Sequence, residues 1–218
     1  RMWVGPADDS AEPIPLDGEW RMAFEHDFGR VQPPVLPFGP GNPQSPYMLN
    51  DSMIQPLIPY AIRGATWYQG ESNAGRAQEY GGLLRAMIRD WRRAWGQGDF
   101  PFLTVQLANF QQPLAYQIAS TWAVVREGQL QSLQEPNTGL AVTIDIGDAI
   151  DIHPRNKQDV GHRLAQWALA RTYGKTGVCS GPLYRDCVIE GSHMRLFFDH
   201  TGGGLTARGG ELKTFVIA

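Results

Sequence analysis

His153 is the side chain in this sequence best suited to moving a proton. It lies in the run Asp145-Ile146-Gly147-Asp148-Ala149-Ile150-Asp151-Ile152-His153-Pro154-Arg155-Asn156-Lys157. Pro154 biases the residue before it toward extended backbone, which fixes how the imidazole is presented. A carboxylate near a histidine can hold one ring nitrogen protonated and leave the other free to accept a proton. Asp151, two residues before the histidine, is the first choice for that carboxylate and Asp148 the second. The run also reads as a polar loop with a helix-capping aspartate. A third reading is a metal site, since Asp145, Asp148, Asp151 and His153 all offer oxygen or imidazole ligands. No second ligand cluster accompanies them in the sequence.

Trp67-Tyr68-Gln69-Gly70-Glu71-Ser72-Asn73-Ala74-Gly75 is the other run that could do chemistry. Small and amide residues after a strand can aim N–H donors at a developing oxyanion. Gly70 could offer its backbone N–H and Asn73 its side-chain amide, with Gln69 and Glu71 as neighbouring candidates for binding substrate. The plainer reading is a tight turn with Asn73 or Ser72 as a helix cap. Ser72 superficially resembles a nucleophile elbow, but the required Gly-x-Ser-x-Gly fails because position 74 is alanine. Trp67 and Tyr68 could stack on a sugar ring; aromatics in a buried strand are more often core, and that reading is preferred. His26, His162, His193 and His200 lack comparable neighbours and read as structural or solvated.

The elements that must position these runs alternate between strand and helix. Residues 64–69, 102–107 and 140–144 read as apolar strands. Residues 78–95, 120–133 and 157–173 read as helices. In the first helix Tyr80, Leu83, Leu84, Met87, Ile88, Trp91 and Trp95 share a stripe, with Arg85, Arg89, Arg92 and Arg93 on the opposite, wet face. Trp122, Val125, Leu130 and Leu133 point inward from the second helix, and Val160, Leu164, Trp167 and Ala168 from the third. Asp51 or Ser52 could cap a short helix through Tyr60. Apolar strands alternating with helices indicate a parallel sheet covered on both faces, the α/β class. Both chemical runs then follow strands, at the carboxyl edge where open α/β sheets bind ligands.

Three segments are expected. Residues 1–52 form a Pro/Gly-rich connector or insertion, punctuated by Pro6, Pro13, Pro15, Pro33, Pro34, Pro37, Pro40, Pro43 and Pro46. A short strand or hairpin near residues 18–24 is possible within it. Residues 53–176 form the α/β part. Residues 177–218 begin an antiparallel β region, with strands at 183–190, 194–199 and 212–217. The net charge of −3 and absence of a long basic stretch argue against nucleic acid as a partner. No apolar run approaches the ~18 residues of a membrane span. Cys179 and Cys187 could pair or stay reduced.

At these runs the chain resembles the sialate O-acetylesterase family, a branch of the SGNH hydrolases. Trp67-Tyr68-Gln69-Gly70-Glu71-Ser72-Asn73 and Asp151-Ile152-His153-Pro154-Arg155-Asn156-Lys157 carry the resemblance. Asp90-Trp91-Arg92-Arg93, Phe100-Pro101-Phe102, Gln106-Leu107-Ala108-Asn109-Phe110 and Trp122 with Arg126-Glu127 reinforce it. Ser180-Gly181-Pro182 and Gly210-Glu211-Leu212 continue it, so it runs from about Gly18 onward. The resemblance implies a three-layer SGNH sandwich, an acetylated sugar or polysaccharide as substrate, and no metal or organic cofactor. His153 matches the catalytic base, the Asp151 region its orienting carboxylate, and Gly70 and Asn73 the oxyanion block. Many SGNH enzymes place the acid three residues before the histidine, a position held here by Ile150. The family's nucleophile sits in a Gly-Gln-Ser-Asn-Met block after the first strand. Nothing between Arg1 and Ile62 matches it, and Ser10, Ser45 and Ser52 lie in the wrong company.

The leader resembles the family's middle insertion instead. The expectation is therefore an internal piece of the family's esterase, with the serine and first strand upstream, weak or no activity on its own, and poor stability from an exposed sheet edge. The family suggests a secreted, periplasmic or lysosomal setting. The rival readings are a non-catalytic carbohydrate-binding fragment and a metal-assisted hydrolase using Asp145, Asp148 and Asp151.

Overall fold

The structure is a computed structural model that describes residues 3–4, 14–15, 39, 42–114, 119–207 and 210. The strands expected at 18–24 and 212–217 lie outside the described residues. The chain divides into two compact units, residues 1–51 and 52–218. In the first, β1 (Trp3–Val4) pairs antiparallel with β2 (Ile14–Pro15), Trp3 opposite Pro15. A proline contributes no N–H to a ladder, so a short pairing is what this composition supports. The expected helix through Tyr60 is replaced by a π turn over Asn50–Ile54 and a 3-10 turn over Gln55–Leu57. Pro56 and Pro59 deny an α-helix its hydrogen bonds there.

The second unit is built on three parallel strands, β3 (Ala65–Trp67), β4 (Phe102–Val105) and β5 (Thr138–Ala141), in the spatial order β3-β4-β5. Trp67 stands opposite Thr104, and Val105 opposite Ala141. Every residue of β4 and β5 is buried, as continuous apolar reading implies for strands covered on both faces. The strands are shorter than their apolar runs. β5 starts at Thr138, whose hydroxyl donates to the Ser132 and Glu135 carbonyls, and ends before Val142.

Helix α1 (Ala77–Trp95) and helix α2 (Thr121–Leu130) cover one face. Tyr80, Leu84 and Ile88 of α1 cluster with Phe102 of β4 and Val125 of α2. Trp91 packs between Trp67 and Phe102, its ring centre 5.9 and 5.8 Å from theirs. Helix α3 (Lys157–Arg171) covers the other face, where Trp167 packs on Leu103 and Leu140, and Val160 on Val105 and Ala141. The Trp167 indole N–H also donates to the Leu140 carbonyl at 2.9 Å. This is the three-layer α/β architecture that the alternating pattern anticipates. The Ser120 hydroxyl caps α2, accepting the Ala123 N–H at 3.3 Å, and the last expected turn tightens to a 3-10 turn over Gln131–Gln134. Asn156 caps α3, accepting the Asp159 N–H at 3.1 Å.

Helices α1 and α2 cross at Gly81 and Gly128. A Cβ on Gly128 would stand 2.8 Å from the Gly81 backbone nitrogen, so the contact admits no side chain. Gly128→Ala should therefore destabilise the fold by about 1–3 kcal/mol, read as a lower urea midpoint at unchanged slope. An unchanged midpoint would show that the helices can separate without cost.

Two expectations for α1 need correction. Leu83 is half exposed, because the buried stripe follows Tyr80, Leu84 and Ile88 and Leu83 borders it. Arg92 is not on the wet face; only 6% of it is exposed. Its guanidinium donates to the carbonyls of Phe100 (2.9 Å) and Pro136 (2.7 Å), just ahead of β4 and β5. Burial lowers its pKa, partly offset by Asp99 and Glu135. Arg92→Leu leaves those carbonyls without their donor and should cost about 2–4 kcal/mol of unfolding free energy. Denaturant titration checks it, and a loss under about 0.5 kcal/mol would mean water replaces the guanidinium.

β6 (Leu183–Glu190) and β7 (His193–Asp199) form an antiparallel hairpin through Gly191, which has φ +62°. Cys179 and Cys187 are free thiols. No described helix is long and apolar enough to cross a membrane.

Candidate active site

Because β3, β4 and β5 run parallel, the segments that leave their carboxyl ends share one edge of the sheet. The Trp67–Asn73 run leaves β3, and the Asp145–Lys157 run follows β5 and leads into α3. Tyr68 joins them. It packs against the cluster of Val105, Ala141 and Val160, and the Lys157 ammonium lies 4.6 Å from its ring centre. Burial raises the Tyr68 pKa, with the Glu71 charge adding to it. Trp67 packs on the other face, against the α1 cluster. Both aromatics are thus half-buried core residues, the reading preferred from sequence.

The turn after β3 is tightly specified. The Gln69 carbonyl accepts the Tyr80 hydroxyl at 2.7 Å and the Gln129 side-chain N–H at 3.1 Å. Burial raises the Tyr80 pKa, so the phenol stays protonated and able to donate. Tyr80 also accepts the Trp67 indole N–H at 3.2 Å. Gly70 has φ +148°, and a Cβ there would meet Tyr80 Cζ and Oη at 3.1 Å and Val125 Cγ1 at 3.2 Å. Only glycine meets both demands. Its N–H is taken by the Gln69 side-chain carbonyl. A 3-10 turn over Glu71–Arg76 follows, opened by the Asn73 N–H donating to the Gly70 carbonyl at 3.0 Å. Ser72 is exposed in that turn and Asn73 partly buried. Neither side chain caps α1, whose start carries no side-chain cap.

The loop after β5 is pinned to the segment after β4. The Gly147 N–H donates to Asn109 Oδ1 at 2.6 Å, and Phe110 bridges Asp148 in parallel sense. Asp148 accepts the Ile150 N–H at 2.9 Å. Asp151 Oδ1 accepts the His153 backbone N–H at 2.8 Å and lies 3.9 Å from the His153 ring Nδ1. The His153 side chain is 87% exposed, above a buried Pro154. Of the two candidate carboxylates, Asp151 is the one beside the imidazole; Ile150 is exposed.

Asp145 belongs elsewhere. Both its oxygens accept from the Arg163 guanidinium, at 2.6 and 2.7 Å. That hydrogen bonding holds its carboxyl below its ordinary pKa of 3.8. The metal reading of Asp145, Asp148, Asp151 and His153 is therefore corrected. A bidentate arginine occupies one proposed ligand, and among the described residues no group of three or more His, Cys, Asp or Glu side chains is placed to hold an ion. A carboxylate with a depressed folded-state pKa stabilises above its unfolded value and loses that contribution as pH falls through the folded one. Below about pH 4, the wild type should thus lose stability faster than Asp145→Asn does. Thermal melts across pH 2–7 check this, and parallel curves for the two proteins would contradict it.

Gln129 is the residue that sequence reasoning missed. It is fully buried in α2; its Nε2 donates to the Gln69 and Val105 carbonyls (3.1 and 3.2 Å), and its Oε1 accepts the Leu107 N–H at 2.8 Å. Arg126, one turn earlier, donates to the Leu107 and Ala108 carbonyls, both at 2.9 Å. One helix thereby fixes the backbone leaving β3 and β4. The available signal was a glutamine four residues after Val125, on the apolar face of a helix.

The fold is a three-layer α/β sandwich of the SGNH-like kind. Its architecture matches the crystal structure of a carbohydrate acetylesterase from Xanthomonas citri with a TM-score of 0.72 at 46% sequence identity, covering 77% of this chain and 39% of that one. The family model for the carbohydrate esterase, sialic acid-specific acetylesterase, matches residues 47–170, and the chain belongs to that family. A sialate O-acetylesterase of Mus musculus is 35% identical over 208 residues, 87% of this chain and 37% of that protein. The Homo sapiens sialate O-acetylesterase is 34% identical over 164 residues, 65% of this chain and 30% of its own length. The chain thus spans about a third of the length of the curated relatives it matches.

Proposed function

We propose that this chain carries the acid–base and oxyanion parts of a carbohydrate O-acetylesterase site. The observation that supports this best is the His153–Asp151 contact, on a run whose Lys157 lies against Tyr68 of the Gly70 run, in a member of an acetylesterase family. The substrate is an acetyl ester on a sugar, of the kind the relatives' names indicate. A serine hydroxyl attacks the acetyl carbonyl while His153 takes its proton. Asp151 orients the imidazole and stabilises its cation. The Gly70 N–H and the Asn73 amide receive the oxyanion; Gln69 and Glu71 border the sugar. Collapse of the tetrahedral intermediate expels the sugar oxygen, which takes the proton back from His153. Water, activated by the same imidazole, then releases acetate. The serine is proposed to be that of the family's Gly-Gln-Ser-Asn-Met block.

Acetate release from O-acetylated sialic acid and acetylated polysaccharide tests this. The natural protein containing this chain should release acetate, and the 218-residue chain alone little or none. Robust turnover by the chain alone, abolished by Ser72→Ala, would make Ser72 the nucleophile and overturn the assignment.

A further inference from the structure

We propose that Tyr80 and Gln129 are positioning residues for the oxyanion donor, acting through the carbonyl of Gln69. The proposal rests on the esterase reading above and adds to it the device that aims Gly70.

A peptide unit is planar, and in the trans form its C=O and N–H point in opposite directions. No cis peptide occurs among the described residues, so the Gln69 carbonyl and the Gly70 N–H form one rigid trans plate. The carbonyl side of that plate is gripped by the Tyr80 hydroxyl of α1 at 2.7 Å and the Gln129 amide of α2 at 3.1 Å. Both grips come from beneath, from the helix layer. The opposite edge, the Gly70 N–H, must therefore face away from that layer. The partner it finds is the side-chain carbonyl of an exposed residue, Gln69 itself. An amide oxygen there stands where the substrate's carbonyl oxygen would accept, and a flexible surface side chain can leave when substrate arrives.

The grips are themselves braced. Tyr80 accepts from the Trp67 indole, and Gln129 is held by the Val105 carbonyl and the Leu107 N–H. Strand β3, strand β4 and both helices thus fix one N–H vector. An oxyanion donor is effective when it needs no reorientation as charge develops. Releasing one grip lets the plate rock, which misaims the donor at the tetrahedral stage while leaving sugar binding alone.

The test compares Tyr80→Phe, Gln129→Met and His153→Ala in the natural protein containing this chain, with p-nitrophenyl acetate and an O-acetylated sialic acid as substrates. Tyr80→Phe keeps the ring and loses only the hydroxyl. Gln129→Met keeps the chain length and loses both amide donors; it serves if the first variant melts too early to assay. Either variant should lower kcat by about 10- to 100-fold with KM changed little, since the lost interaction matters only in the transition state. The 15N relaxation order parameter of the Gly70 amide should fall in both, with neighbours in α1 unaffected. Wild-type kcat and an unchanged Gly70 order parameter, alongside an inactive His153→Ala, would overturn the positioning role and leave the esterase reading standing. Full turnover in His153→Ala would overturn the esterase reading itself. A raised KM at constant kcat would mean that the two residues shape sugar binding rather than aim the donor, and would contradict the proposal.

Discussion

Replacing His153 with alanine is expected to lower the turnover of the natural protein by roughly four orders of magnitude with little change in KM. In the proposed reaction the imidazole both removes and returns a proton, so no neighbour would substitute for it. Asp151 Oδ1 accepts the His153 backbone N–H at 2.8 Å and lies 3.9 Å from Nδ1, which places the carboxylate beside the ring. Asp151→Asn should therefore cost less than the loss of the imidazole but more than Asp148→Asn, whose carboxylate serves the Ile150 N–H. Initial-rate kinetics on an O-acetylated sugar measure all three. Equal losses for the two aspartates, or a His153→Ala enzyme within about tenfold of wild type, would contradict the assignment.

Gly70→Ala is expected to damage both folding and turnover. The new Cβ would stand 3.1 Å from the Tyr80 ring and hydroxyl and 3.2 Å from Val125, at a φ of +148°. Overpacking costs about 1–3 kcal/mol, and holding a non-glycine residue at such a φ costs a similar amount. Relief requires the turn to rotate, which carries the N–H away from the site. The variant should melt several degrees lower and, where still folded, turn over about 100- to 1,000-fold more slowly. Circular dichroism melts and kcat separate the two effects. A stable and fully active Gly70→Ala protein would show that the donor lies elsewhere.

How much of this was legible in the sequence depends on how far each interaction reaches along the chain. Helix α1 was readable because Tyr80, Leu84 and Ile88 recur at helical spacing, and the apolar strands because both their faces are covered. The Asp151–His153 contact is local, two residues apart, and spacing alone nominated it. Arg92 was misread because periodicity scores a guanidinium as wet. Its partners, the carbonyls ahead of β4 and β5, come from as far as 45 residues away. Gln129 escaped notice for the same reason, since it holds Gln69 from 60 residues away. Asp145 looked like a ligand until folding brought Arg163, 18 positions later, onto it. Strand ends were the least visible feature: Val142 and Ile144 are apolar, yet β5 stops at Ala141 and Thr143 turns to the Gln106 carbonyl.

In the proposed reaction the His153 imidazole and the Gly70 N–H serve one carbonyl, so the two groups sense each other. A pH titration of the 15N-labelled chain, followed by NMR, measures that coupling. The Gly70 amide resonance should shift with the same midpoint as the His153 ring signals, and that shift should vanish in His153→Ala. A Gly70 resonance indifferent to the ionisation of His153 would place the two groups in separate environments, and one carbonyl could not meet both.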